Sequence, residues 1–251
     1  MEIQQGRCVR PIKTLLSWEL KAGRTITLPA DLEAILIYQG FAEPVGSTIK
    51  LPYRGQIVGL KLVTPPEVEP VTLEEAKAHL RLDGDADNNY LSALIAAARE
   101  RVELFLRRAL ITQMFECTID DFPAYDRAID LPRPPLQSVE WIKYLDTAGL
   151  LQTLDPGTYI VDASSNEIGR IALAWNRLWP FTRYTINAVT IRFAAGYGDA
   201  VEDVPQAIRQ GILIEISNLY ENREDVVVGQ NISMLSLSER LLWPYRALSV
   251  E

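Results

Sequence analysis

Apolar positions along the chain follow two rhythms, and each predicts its own kind of element. In NNYLSALIAAARERVELFLRRAL, Leu91, Leu94, Ile95, Ala98, Val102, Phe105, Leu106 and Ala109 recur three and four apart. That spacing lines one face of an α-helix of about five turns. Arg99, Glu100, Glu103, Arg107 and Arg108 fall on its other faces. A shorter helix precedes it. Val71-Thr72-Leu73-Glu74-Glu75 reads as a capping box, Thr72 accepting from the amide three residues on while Glu75 reaches back to the Thr72 N–H, and the helix is predicted to run to about Leu82.

The rhythm changes after residue 110. Phe115, Cys117 and Ile119 alternate with polar neighbours, as do Trp141 and Lys143 in SVEWIKYLD. Asp146-Thr147-Ala148-Gly149 predicts a hairpin loop before Leu150, and residues 188–193 predict another strand. LPRPPL, residues 131–136, cannot be a central strand, because proline donates nothing to a ladder. It reads as an edge or entry loop, with a polyproline recognition segment as the other reading. Helix returns at Asp203-Val204-Pro205, acid as cap and proline in the first turn. Ala207, Ile208, Gly211, Ile212, Ile216 and Leu219 then share a face, which Leu213 and Ile214 broaden. After VVVGQNIS, the segment SLSERLLWPYR predicts a short terminal helix stopped by Pro244.

The first 63 residues read as a separate small module. Residues 14–20 and 25–28 form a strand pair around Lys21-Ala22-Gly23-Arg24, and a helix from Leu32 through Ile35 and Leu36 stops at Gly40. Residues 64–70, within TPPEVEPV, make a stiff linker. The expected fold class is α+β: a helical bundle from 72–110 and 203–247, an antiparallel β insertion at 111–195 between them, and the small αβ module in front.

Charge and chemistry narrow the function. The 25 Lys/Arg and 33 Asp/Glu give −8, made of 8 against 5 in residues 1–66 (+3) and 17 against 28 in 67–251 (−11). An acidic chain is a poor wrapper of nucleic acid, whose binding neutralises phosphates. No apolar run approaches the roughly 20 residues that span a bilayer, and no signal-peptide core is seen at the N-terminus. Cys8 and Cys117 make no disulfide framework, so a reducing compartment is expected. Asp83 to Asn89, DGDADNN, resembles a calcium loop but lacks its glycine and final glutamate in either register, and reads as turn chemistry in which Asp87, Asn88 or Asn89 caps the next helix. His79, the sole histidine, reads as structural rather than as a general base. Asp120-Asp121 and Glu202-Asp203 could supply a glycosidase pair, but loop or capping roles are the ordinary use. Trp141, Trp175, Trp179 and Trp243 suit core packing and subunit contacts better than a sugar surface. No metal, cofactor or catalytic residue is assigned.

VTLEEAKAHLRLDGDADNNYLSALIAAARERVELFLRRALITQ resembles the helical segment of head–tail connector proteins of tailed bacteriophages, with Thr72, Glu75, Ala76, Leu80, Asp87, Leu91, Ile95, Ala98 and Glu103 in the family's pattern. LPRPPLQSVEWIKYLDTAG, VTIRFAAGYGD, VPQAIRQGILIEISNLYENRE and LLWPYR resemble its longer, β-inserted branch. LPADLEAILIYQGFAEPV resembles small modules found on phage structural proteins. The resemblance implies a non-enzymatic virion protein that assembles as a ring, usually twelve-fold, between the portal protein and the tail or stopper. Such a ring extends the DNA channel, and DNA passes without sequence-specific binding. It also implies localisation to the virion neck, assembly in the host cytoplasm, and subunits that stay monomeric until they meet a portal. Another neck or tail-completion role is the alternative, and a carboxylate-based glycan hydrolase a remote one. Leu241, Leu242, Trp243, Pro244, Tyr245 and Arg246 are the expected docking residues for portal or a neighbour, the other reading being that they fold back on their own bundle.

Overall fold

The computed structural model describes residues 56–123, 127–221 and 237–247, together with the backbone of three strands nearer the N-terminus. Those three are β1 (Cys8–Pro11), β2 (Ile26–Thr27) and β3 (Ala42–Pro44), antiparallel in the order β2-β1-β3. The strand expected at 25–28 thus pairs with Cys8–Pro11. The strand expected over 14–20, the helix from Leu32 and the VVVGQNIS segment lie outside the described residues.

Two antiparallel sheets build the β region. The larger has the order β4 (Ile57–Thr64), β5 (Gln113–Ile119), β11 (Val189–Ala195), β7 (Leu136–Leu145) and β8 (Leu151–Thr153). The smaller has β6 (Ile129–Leu131), β10 (Gly169–Leu173) and β9 (Tyr159–Asp162). The period-2 pattern explains their packing. Phe115, Cys117 and Ile119 face Phe193, Ile191 and Val189 across the β5–β11 ladder, and all six are buried. Ile129, Leu131 and Ile171 from the smaller sheet join them in one apolar core. The Phe115 and Phe193 rings stack at 5.7 Å. Asp146 Oδ1 accepts from Ala148 N and Leu150 N in the β7–β8 turn, and Gly149 takes the positive φ of 84° that such a turn requires.

β4 departs from the expected layout. Residues 57–63 were assigned to the N-terminal module, but β4 pairs along β5 from Ile57↔Ile119 to Thr64↔Met114. They belong instead to the larger sheet, as an edge strand whose pairing partner lies about fifty residues further along the chain.

The second core is helical. α1 (Leu73–Leu80), α2 (Asn88–Leu106), α3 (Gln206–Glu221) and α4 (Leu237–Leu242) surround Ala76, Ile95, Ala98, Val102, Ile208, Ile212 and Ile216. The capping box on α1 is present, with Glu75 N donating to Thr72 Oγ1 at 3.1 Å and Thr72 N to Glu75 Oε2 at 2.9 Å. Arg81 and Arg107 turn left-handed and end α1 and α2. α1 therefore stops before the expected Leu82 and α2 before Leu110. That early stop matters, because residues 109–111 cross from one core to the other: Ala109 packs in the sandwich, Leu110 and Ile111 in the bundle. The LPRPPL loop supports the crossing, since Pro134 O accepts from Ala109 N and Pro135 O from Gly196 N.

Candidate interaction surfaces

The polar faces of α2 are where sequence periodicity is corrected. Arg99, Glu103 and Arg108 are 7%, 8% and 1% exposed. Arg99 Nε donates to Glu69 Oε2 at 2.8 Å, and its Nη1 to Glu103 Oε2 at 3.1 Å. The other Glu103 oxygen accepts from Leu110 N at 3.0 Å and Gln113 Nε2 at 2.6 Å. Burial pushes the Glu103 carboxyl above its ordinary pKa, against the pull of the Leu110 amide and Arg99. Arg108 pairs with Glu167 at 2.7 Å and donates to the carbonyls of Asn166 and Tyr245. Glu215, also buried, meets Arg101 at 2.8 Å and Ser238 at 3.3 Å. These ions tie α2 to the 64–70 segment, the first strand of the insertion, the smaller sheet's loop and the terminal segment. The partners lie up to 137 residues away, so the local pattern held no signal for them.

The terminal segment folds back on its own bundle. Leu242 is buried, and its Cδ2 stands 2.7 Å from where a Cβ on Gly211 would lie, so that glycine makes room for it. Ala247 N donates to Leu106 O at 2.9 Å, and Arg108 holds the Tyr245 carbonyl. In this arrangement Leu242 is turned into the interior of the bundle. Trp243 remains 51% exposed, its ring 6.3 Å from Phe105, with Arg246 over both rings. Pro244 beside it is exposed, as are Leu237 and, on α2, Leu104.

The remaining candidates hold turns. Asp85 accepts from Lys77 and Asn88, which hold its carboxyl below the usual range. Asp87 occupies the cap position of α2 without a side-chain capping bond and instead accepts from Tyr220 Oη at 2.9 Å. Asp120 accepts from Asn187 N, Asp121 from Thr182 Oγ1, and Asp203 from Ala200 N. His79 is exposed near the end of α1. Among the described residues no group of three or more His, Cys, Asp or Glu is placed to hold a metal ion, and no helix is long and apolar enough to cross a membrane.

The four tryptophans among the described residues separate into different roles. Trp179 is buried, stacked on Phe122 at 4.8 Å and 3°. Trp141 lies on the outer face of the larger sheet under Lys143 and Arg192, at 4.2 and 4.9 Å. Arg192 also reaches Glu116 at 2.5 Å. Trp175 stands in the connection between β10 and β11, 95% exposed, with Tyr184, Ile186, Leu178 and Phe181 also exposed. That connection is anchored: Ala174 N donates to Thr158 O, Arg183 N to Leu145 O, Thr182 to Asp121 and Asn187 N to Asp120. The molecule thus presents anchored apolar surface on two separate segments, this connection and the terminal one.

This α+β architecture is that of chains in particle necks. The chain is similar to one in the neck of an empty GTA particle computed with C6 symmetry, with TM-score 0.65 and 24% identity over 77% of this chain and 98% of that one. It is similar to one in the virion of a native gene transfer agent (GTA) particle, with TM-score 0.62 and 24% identity over 76% and 97%. A chain in the neck of the native GTA particle computed with C12 symmetry gives 0.57 and 23% over 77% and 98%. At such identity the likeness speaks for the fold. No curated protein matches. Residues 70–147 match the family described as phage gp6-like head-tail connector protein. The matched stretch spans the first two helices, the crossing at 109–111 and the first strands of the insertion.

Proposed function

We propose that the chain is a structural protein of a virion neck, a ring adaptor between the portal protein and the tail or stopper that extends the DNA channel. The observation that carries this reading is the connector family match over 70–147, combined with a fold shared along almost the full length of a neck chain. The C6 and C12 symmetries of the similar neck assemblies favour a twelve-fold ring. The net −11 of residues 67–251 suits a wall along which DNA slides, since like charge repels phosphate. Carboxylates committed to turns and ion pairs fit a structural role rather than hydrolysis.

The docking surface for the portal is the outer side of the terminal segment: Leu241, Trp243, Pro244, Tyr245 and Arg246, with Leu242 as the buried peg that holds them in place. Half-exposed Trp beside Arg is the composition that dominates interface energetics. The N-terminal 1–56 region is a separate module on this reading. Mass photometry of the full chain, alone and mixed with the portal protein of the same genome, tests the proposal. A discrete complex of about twelve subunits that forms with portal and is lost in Trp243→Ser supports it. A monomer indifferent to portal overturns it in favour of another neck or tail-completion role.

A further inference from the structure

The proposed portal-docking surface leaves the aromatic connection between β10 and β11 without a role. We infer that the segment Trp175–Ile186 is the contact through which one copy grips the next, seating its exposed aromatics and two arginines on an acidic face of a second copy. The inference rests on the ring reading above and names one of its interfaces.

Area is the first argument. Trp175 is 95% exposed and Tyr184 fully so; two such rings offer about 400 Å². For scale, the largest apolar patch of an ordinary monomer is about 300–600 Å². Ile186 at 76%, Leu178 at 56% and Phe181 at 39% extend the surface of the two rings, toward the roughly 800 Å² per partner of a standard interface. Preorganisation is the second. Trp179 stacked on Phe122, together with the bonds from Thr182, Arg183 and Asn187, fixes the connection from below, so little ordering entropy is lost on binding.

Charge chooses the occupant. Residues 174–188 contain Arg177 and Arg183 and no acid, in a stretch of chain (67–251) that otherwise carries an excess of eleven acids. The complementary surface is acidic, and a second copy of this chain, with its excess of eleven acids over residues 67–251, is an occupant of that charge. Two such segments facing each other across a two-fold axis would set arginine against arginine. The contact is therefore between unlike surfaces, the kind that propagates around a ring. Nucleic acid fits less well, because Asp120, Asp121 and Asp146 stand at the base of the segment, bonded to it or to the turn beside it, and would repel phosphate.

The test uses the full chain with a photo-crosslinking phenylalanine analogue at position 184 in place of Tyr184. Sedimentation is followed with and without portal protein, in parallel with the double variant Arg177→Glu, Arg183→Glu. The expected result is a crosslink joining two copies, association at least tenfold weaker in the double variant, and weakening with salt. Unchanged urea midpoints show that the variants remain folded, since Arg183 anchors through its backbone N–H, which the substitution keeps, and Thr182, Asn187 and Trp179 are untouched. Rings that form equally well in the double variant overturn the inference while leaving the ring reading standing. A wild-type chain that never self-associates, with portal or without, overturns both. Crosslinks to portal, to another neck protein or to DNA assign the segment to a different occupant and overturn the choice made here.

Discussion

The sandwich and the helical bundle are stabilised by different means. The sandwich is held by apolar packing: Ile119, Ile142, Val189, Ile191 and Phe193 are wholly buried in one cluster of hydrophobic side chains that includes Cys117. The bundle side carries buried ions instead, with Arg99, Glu103, Arg108 and Glu215 closing around it. Apolar packing tolerates small changes of shape at modest cost. A buried ion pair is a poor source of net stability but a costly one to break on one side. The difference teaches where this protein fixes geometry. The sandwich is a body whose strands need only fill space. The bundle junction is a set of directional contacts that holds α2, the crossing at 109–111, the terminal segment and the smaller sheet's loop in one arrangement.

Mutations that discriminate the two regions follow from this. Arg108→Ala should have the largest effect, about 1–3 kcal/mol, because the carbonyls of Asn166 and Tyr245, with the exposed Glu167, lose their common donor. Urea unfolding measures the loss, and limited proteolysis should show earlier cleavage after Arg246. A loss below about 1 kcal/mol would mean the junction is held by packing alone. In the sandwich, Ile191→Val should cost only about 0.5–1.5 kcal/mol, by the same unfolding measurement and without any change in proteolysis at the C-terminus.

Glu103 gives the comparison a pH signature. Its folded pKa is raised by burial, so the folded state holds its proton more tightly than the unfolded chain, where glutamate titrates near about 4.3. Its contribution to stability is therefore fully present below that value and falls as pH rises through the higher folded pKa. In Glu103→Gln this descent should vanish, seen as a difference between the urea midpoints of wild type and variant that shrinks with rising pH over this window. A constant difference would contradict the burial of the carboxyl. The smallest effect is at Cys117, whose thiol burial pushes up to about 12. Iodoacetamide at neutral pH should label it only after denaturation, and labelling of the native protein would mean that the sandwich opens readily.

The same contrast explains what was legible in the sequence. The apolar stripe from Leu91 to Leu106, the Phe115-Cys117-Ile119 alternation and the Thr72–Glu75 capping box are local patterns, and local patterns survive into the fold. Arg99 and Glu103 fell on the helix's other faces by periodicity, and the residues that bury them, Glu69, Leu110 and Gln113, come from other segments. β4 was misplaced for the same reason, its partner strand being β5 beyond two helices. Asp87 has the chemistry of a helix cap, but Tyr220, 133 residues on, claims its oxygen. Of the candidate docking residues, the run Leu241–Arg246 was visible as an apolar cluster, yet the assignment of Leu242 inward and Trp243 outward depends on Gly211 in α3. The aromatics of 175–186 could not be divided from Trp179 by sequence, since exposure is a property of the surrounding sheets.

The central claim concerns place in a particle, and cryo-electron microscopy of the assembled particle carrying this chain tests it most directly. The account predicts a ring of copies immediately below the portal, with Trp243 toward portal density and the 175–186 segment against the adjacent copy. Density for the chain elsewhere in the particle, or its absence from the neck, would contradict it.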